Sequence, residues 1–550
     1  MSQQTMSRCI TPPLSQISSP YTPVAILLTI AATLLLLLLH HKRQVVSRKR
    51  EIIGRLPPGP ATLPFVGNVH QLIWNKSSVF RWIHRVLNDM GADILALKLG
   101  SVHVIFVTCP EIAREVLRKN EAVFFSRPAT FASDLFSYGY KSTSLTVVED
   151  QWKKMKRILT SEVLSPSLEC KLHGQRVLEA DHLIRYVYSQ LESTPGGCID
   201  IRHVARHFCG NIIRRLVFGK RSFADESPAA MSVQVGPGAD EQEHVDALFT
   251  LVNYVYSFCV SDYYPGLVGL DLDGHEKVAK GVMSTLDRLH SPSIDERVHE
   301  WSRRREVGNR RDAADILDVL VALEDADGQP VLSIDEIKAQ TVELMFGSVV
   351  YPSNTVEWAL AEMMNRPDVM QKAIDELDAV VGKERLVQES DISKLNYLKS
   401  CIREAFRLHP YHAINAPRVA MEDTSIAGYL IPKDSHVIVS RIGLGKNSKV
   451  WPEPLEFRPE RHLNDGVVVL AEPDLRFITF GTGRRGCPGV SLGTSFTMVL
   501  FARLLQGFTW TKPPGIDTIS LQESPTSLAL AAPLVLQAKP RLAAHLYVEN

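Results

Sequence analysis

Phe480-Gly481-Thr482-Gly483-Arg484-Arg485-Gly486-Cys487-Pro488-Gly489 is a glycine-rich loop that closes on one cysteine and opens into an apolar helix expected from about 488 to 507. Glycine lets backbone approach a flat ligand closely. A cysteine at a helix N-terminus has its thiolate stabilised by the helix dipole and by free N–H groups. Phe480, Gly483, Arg485, Cys487 and Gly489 are spaced Phe-x-x-Gly-x-Arg-x-Cys-x-Gly. Cys487 is therefore a candidate metal ligand; the competing reading is a buried structural cysteine in a tight turn.

That spacing resembles the cytochrome P450 superfamily, with every fixed position filled. The resemblance implies a mostly α, α+β fold with small β-sheets. It also implies a heme b whose iron is held by Cys487, a ligation that pushes electron density towards O–O cleavage, with Phe480 beside the cofactor. Upstream, Glu404-Ala405-Phe406-Arg407 places Glu404 and Arg407 on one helical face. Alone this is an ordinary surface pair. Together with Phe457-Arg458-Pro459-Glu460-Arg461 it resembles two further elements of the superfamily. It then implies a buried triad of Glu404, Arg407 and Arg461, because a buried guanidinium must be paired. Trp152 and Lys156 lie one helical turn apart and resemble the element that points at a heme propionate. Arg485 and Arg418 are implied as further propionate partners, since a guanidinium binds a carboxylate in bidentate fashion. Read singly, each of these cations is equally a solvated surface charge.

Longer strings narrow the resemblance to the plant amino-acid N-monooxygenases. They are Gly236-Pro237-Gly238 with Glu243 to Ala247, Val260 to Tyr263, Leu270 to Lys277, Val381 to Ile392, Pro459 to Asn464 and Pro473 to Phe477. The likeness spans roughly residues 56–545. It implies an L-α-amino acid substrate that two N-hydroxylations, a dehydration and a decarboxylation convert to an aldoxime. Electrons would come from NADPH through a separate flavoprotein, the NADPH–cytochrome P450 reductase. The chain carries no flavin or nicotinamide fingerprint of its own.

The helix expected to run over the heme departs from the branch. Ser333-Ile334-Asp335-Glu336 is a capping box, and the helix continues through Phe346 to Trp358. Most relatives carry an acid and then an alcohol where this chain has Val350 and Tyr351; the branch has Asp-Asn, then Pro-Ser-Asn, and Pro352-Ser353-Asn354 keeps the latter. Valine cannot relay a proton. Pro352 removes an N–H and frees the carbonyl of Ser348, so Ser348 and Tyr351 are the candidate catalytic positions, Tyr351 either as a donor or as a space-filler. Two other readings stay open: a hydroxylase of another specialised metabolite, and a heme-binding relative without monooxygenase activity.

The remaining chain agrees with one large body. Residues 92–108 alternate as a strand pair around Gly100. Helical spacing appears at 151–165, 176–192, 202–217, 242–258, 276–290, 333–365, 368–381 and 394–408, and strand-like pieces return at 417–440. No βαβ rhythm is present. Of 550 residues, 45% are hydrophobic and the 61 basic residues balance 61 acidic ones, which argues against nucleic acid as a partner. The pocket is expected from segments near 135–145, 256–262, 344–351, 412–418 and 525–530. Phe136, Phe346 and Tyr351 would make it aromatic, and Lys141, Arg418 or a backbone site would meet the substrate carboxylate.

Val24 to Leu39 is uncharged, and Lys42, Arg43, Arg48, Lys49 and Arg50 follow it. Sixteen residues of helix rise about 24 Å, close to a thin bilayer. The expected layout is a lumenal tail (1–23), a transmembrane anchor (24–41), a basic and proline-rich hinge (42–60) and a catalytic domain (61–550). It predicts a single-pass protein of the endoplasmic reticulum membrane whose catalytic domain faces the cytoplasm.

Overall fold

The structure, a computed structural model, describes residues 55–75, 79–223, 236–308, 311–463 and 466–548. The expected tail, anchor and most of the hinge lie outside the described residues. Among the described residues no helix is long and apolar enough to cross a membrane.

The elements that matter for the site are helices α1 (Val79–Asp89), α2 (Phe131–Phe136), α3 (Glu149–Ile158), α4 (His173–Ser193), α5 (Ile201–Phe218), α6 (Ala239–Tyr254), α7 (His275–Glu306), α8 (Ile334–Met364), α9 (Pro367–Val380), α10 (Asn396–Leu408) and α11 (Val490–Gly507). Strands are β1 (Ile94–Leu99), β2 (Val102–Val107), β3 (Cys198–Asp200), β4 (Arg418–Val419), β5 (His436–Val439), β6 (Phe508–Thr511) and β7 (Val535–Pro540). The strand pair β1–β2 is antiparallel, with Leu97 opposite Val104, and Gly100 makes the turn at φ +57°. Strand β5 runs parallel to β2 and antiparallel to β4. A second sheet joins β3 to β7 and β7 to β6.

The described residues from 57 onward, other than 428–430, form one unit. Helix α8 is the spine of that unit. Ser333 caps it as expected: its Oγ accepts from Glu336 N (3.3 Å), and Ser333 N donates to the Glu336 carboxylate (2.8 Å). From Ser348 to Met364 nearly every residue is buried, Tyr351 excepted. A helix apolar on all sides is a core helix, and α8 packs against α5, α6, α10 and α11. It runs on through Pro352, beside which Ser353 Oγ donates to Val349 O (2.6 Å).

The triad expected at Glu404 is formed, and it is larger than expected. Arg407 donates to both carboxylate oxygens (2.7 and 2.8 Å) and Arg461 Nε to one (2.9 Å). His462 Nε2 donates to the other (2.7 Å), its Nδ1 accepting from Arg403 Nε (3.2 Å), which fixes a neutral imidazole. Arg407 also donates to the carbonyls of Gly445 and Pro454. Gly445 lies so close that an added Cβ would stand 2.1 Å from the Arg407 carbonyl. Gly445→Ala should therefore displace backbone and lower stability by at least about 1–3 kcal/mol. Thermal unfolding of the heme-loaded variant checks this; an unchanged Tm would contradict it.

Candidate functional site

Loop 480–489 meets α11 beneath a cavity of about 950 Å³. Gly481 and Gly483 take φ of +69° and +70°, a region that costs other residues dearly. At Gly483 a Cβ would also collide with the Glu121 carboxylate at 2.2 Å. Cys487 N donates to Phe480 O (2.7 Å) and Gly486 N to Gly483 O (2.9 Å). This folding turns Cys487 outward, so that its side chain opens onto the cavity. Burial pushes the thiol up from its ordinary value. The Gly489 N–H and the charges of Lys156 and Arg441 pull the other way, and Glu343 adds to the rise.

Of the expected partners, Trp152, Lys156, Phe480 and Arg485 line the cavity and Arg418 does not. Trp152 is nearly buried and meets Phe125 edge-on at 4.9 Å. The Arg485 guanidinium lies over both rings, 4.5 Å from Phe125 and 5.2 Å from Trp152. Its nitrogens donate to the carbonyls of Phe125, Thr143 and Thr146. Lys156 Nζ is 3.4 Å from Gly486 O. Phe480 lines the cavity and sits edge-on to Phe406. Arg418 is 2% exposed, and its Nε and one terminal nitrogen have no partner. Arg127, which sequence reading missed, donates to the carbonyls of Ser144, Ala416 and Pro417.

Arg127, Arg418 and Arg485 are all buried, and among the described residues none of them forms an ion pair. Burial first, then the neighbouring guanidiniums, hold Arg485 down to about 9 and Arg418 well below its ordinary value. Clustered buried cations with no ion-pair partner are costly. The orphaned nitrogens of Arg418, next to a wall that carries Arg127 and Arg485 in the cavity onto which Cys487 opens, fit a flat ligand that carries carboxylates at one edge and a metal at its centre.

Helix α8 supplies the other wall. Ser348 and Tyr351 line the cavity, whereas Val350 is wholly buried in the core. The Tyr351 ring meets Tyr411 (6.0 Å) and His412 (6.1 Å). Burial raises its hydroxyl above the ordinary phenol value, with the Arg441 charge opposing, so it is a neutral donor at physiological pH. Of the expected pocket segments, Thr143 to Leu145, Tyr256 to Phe258, His412 to Pro417 and Thr526 to Leu528 contribute.

Two expectations need correction. Phe136 is 1% exposed and belongs to the core, not the cavity: the Thr130–Ser133 capping box sets α2 so that Phe136 faces inward. Lys141 pairs with Asp335 (2.5 Å) and does not line the cavity, so the charge of α8's first turn already holds it. Arg441 was not anticipated. Its one signal in sequence is a lone cation within the apolar run Val437 to Leu444.

The family model described as Cytochrome P450 matches residues 57–537. The chain is 56% identical over 496 residues to tyrosine N-monooxygenase of Sorghum bicolor, covering 90% of this chain and 87% of that one. It is 49% identical over 492 residues to valine N-monooxygenase 2 of Manihot esculenta (90% and 89% covered). It is 47% identical over 493 residues to tryptophan N-monooxygenase 1 of Arabidopsis thaliana (90% and 89% covered). A solved zebra fish cytochrome P450 with progesterone superposes with a TM-score of 0.66 at 23% identity, covering 84% of this chain and 99% of that one, a likeness of fold.

Proposed function

The chain belongs to the cytochrome P450 family, whose members are heme-iron enzymes, and from that premise we propose that it N-hydroxylates an L-α-amino acid and releases the aldoxime. One observation carries this reading. Relatives at 47–56% identity over 90% of the chain act, by name, on tyrosine, valine and tryptophan. Those substrates share the α-amino acid backbone and differ in side chain, so the backbone is what transfers.

When bound, the heme supplies the activation of dioxygen. The chain's own residues do the rest. Cys487 would hold the iron through its thiolate. Arg127, Arg418 and Arg485, with Trp152 and Lys156, would hold the propionates, satisfying the orphaned nitrogens of Arg418. Phe480 would pack beside the macrocycle. Leu97, Phe106, Leu344 and Phe346 line the cavity with apolar surface, which favours an aromatic or aliphatic side chain.

On α8, Val350 is buried in the core and aprotic. Tyr351 takes the place of the missing relay: its hydroxyl delivers protons, with water on the Ser348 carbonyl that Pro352 leaves without its helical donor. Tyr351→Phe keeps the ring and its packing. It should leave heme content unchanged while oxime formed per NADPH consumed falls about tenfold or more. Unchanged coupling would reduce Tyr351 to a space-filler.

Electrons reach the site from NADPH through the separate cytochrome P450 reductase. The apolar run Val24 to Leu39 and the basic cluster behind it support a single-pass anchor in the endoplasmic reticulum with the catalytic domain in the cytoplasm. The test is product identification in microsomes carrying this protein, reductase and NADPH, offered each protein amino acid in turn. At least one should yield its aldoxime; none from any would overturn the reading.

A further inference from the structure

An amino acid arrives as a zwitterion. Its amine must reach the iron, and its carboxylate, carried into a largely apolar cavity, must find a cation. Of the cations lining the cavity, Arg127 and Arg485 already donate to main-chain carbonyls, and Lys156 reaches Gly486 O. Arg441 differs. It follows β5, where its backbone N donates to Ala413 O (2.8 Å), and its side chain lines the cavity. Its Nε has no partner, and one terminal nitrogen reaches only Asn415 Oδ1 at 3.5 Å. No ion pair holds it among the described residues.

We propose that Arg441 is the anchor for the α-carboxylate of the substrate, an inference that rests on the amino-acid reading above. The ionisable neighbours of Arg441 are Tyr351 and Cys487, which line the cavity with it, whereas those of Arg418 include Arg127 and Arg485. Arg441 therefore belongs to the reacting end of the cavity and not to the propionate cluster. Amine and carboxylate share one carbon, so a carboxylate held between the sulfur and Tyr351 sets the amine at the iron whatever the side chain. A guanidinium suits the task because it forks onto both carboxylate oxygens.

The experiment is a spectral binding titration of heme-loaded wild type, Arg441→Met and Arg441→Lys. Tyrosine, valine, tryptophan and phenylalanine are each compared with the amine that lacks the carboxylate. Wild type should prefer at least one amino acid over its amine. Arg441→Met should lose about 100-fold in affinity for that amino acid, the scale of a severed desolvated charge pair, and keep its affinity for the amine. Arg441→Lys should lose about tenfold, again for the acid alone, since it keeps charge but not the fork. An unchanged thiolate band under carbon monoxide certifies each variant, and if Arg441→Met does not fold, Arg441→Lys decides. Equal affinity of wild type and variant for the amino acid, or equal losses for acid and amine, overturns the anchor alone. A wild type that responds to no amino acid removes the reading and the anchor together.

Discussion

Cys487→Ala will lack the reduced carbon-monoxide band of a thiolate-ligated heme and will form no product above background. The loop makes this the largest functional effect in the molecule. Its backbone, from Phe480 O accepting from Cys487 N to the left-handed glycines, exists to turn one sulfur into the cavity. Among the described residues the other cysteines line no part of this cavity, so no second thiolate is on offer. Alanine leaves the arginine cluster untouched, so heme can still be retained through its propionates. Loss of the band with retained heme separates ligation from binding. A variant that kept the thiolate band would place the iron elsewhere.

The largest effect on stability belongs to Glu404. Its carboxylate is 0% exposed and receives Arg407, Arg461, His462 and the Arg458 N–H. Burial alone would raise its pKa, but the hydrogen bonds of Arg407 and His462 and the charge of Arg407 outweigh it and hold the group at about 2. Glu404→Ala strands two guanidiniums in the interior, and breaking such a buried network costs about 3–5 kcal/mol, a large share of a domain's stability. Glu404→Gln keeps the shape but not the charge and should fall in the same range. Either variant should give little heme-loaded protein and a Tm well below wild type; a Tm within a few degrees would contradict the account. The pH dependence has a definite sign. A depressed carboxylate stabilises fully above its unfolded value near 4.5, and that contribution is lost as pH falls towards about 2.

Local pattern made much of this legible. The strand pair, the Ser333 cap and the helices over the heme and behind the cysteine lie where periodicity places them, because each depends on residues a few positions apart. Non-local structure was hidden. Helix α7 shows apolar spacing only to about 290 yet continues past Pro292 to Glu306. Its second half is held from outside, by Arg297 on Asp315 and Asp318 and by Trp301 on Asp318. The sheet of β3 and β7 joins residues more than 300 positions apart, which no window reveals.

The branch-like strings acquire physical roles. The Asp271 carboxylate accepts from the backbone N–H groups of Glu276 and Lys277 at the start of α7, and Asp262 accepts from Phe131 N at the start of α2. Asp391 pairs with Arg385 through both oxygens. These strings set the frame around the cavity, and of their residues Tyr263 and His275 line it. At the site, the motif-borne residues were readable and the solitary ones were not. Arg127 and Arg441 carry no spacing rule, and only the closing of loops and strands brings them to the cavity. Lys141 looked available in sequence, and Asp335 claims it.

One measurement bears most directly on the central claim: mass analysis of the product formed from a nitrogen-15-labelled amino acid under oxygen-18 dioxygen, with reductase and NADPH. The account predicts a product that keeps the labelled nitrogen and carries one labelled oxygen bonded to it, with the carboxyl carbon gone. Oxygen placed on carbon, or NADPH consumed with peroxide and water as the only products, would contradict it.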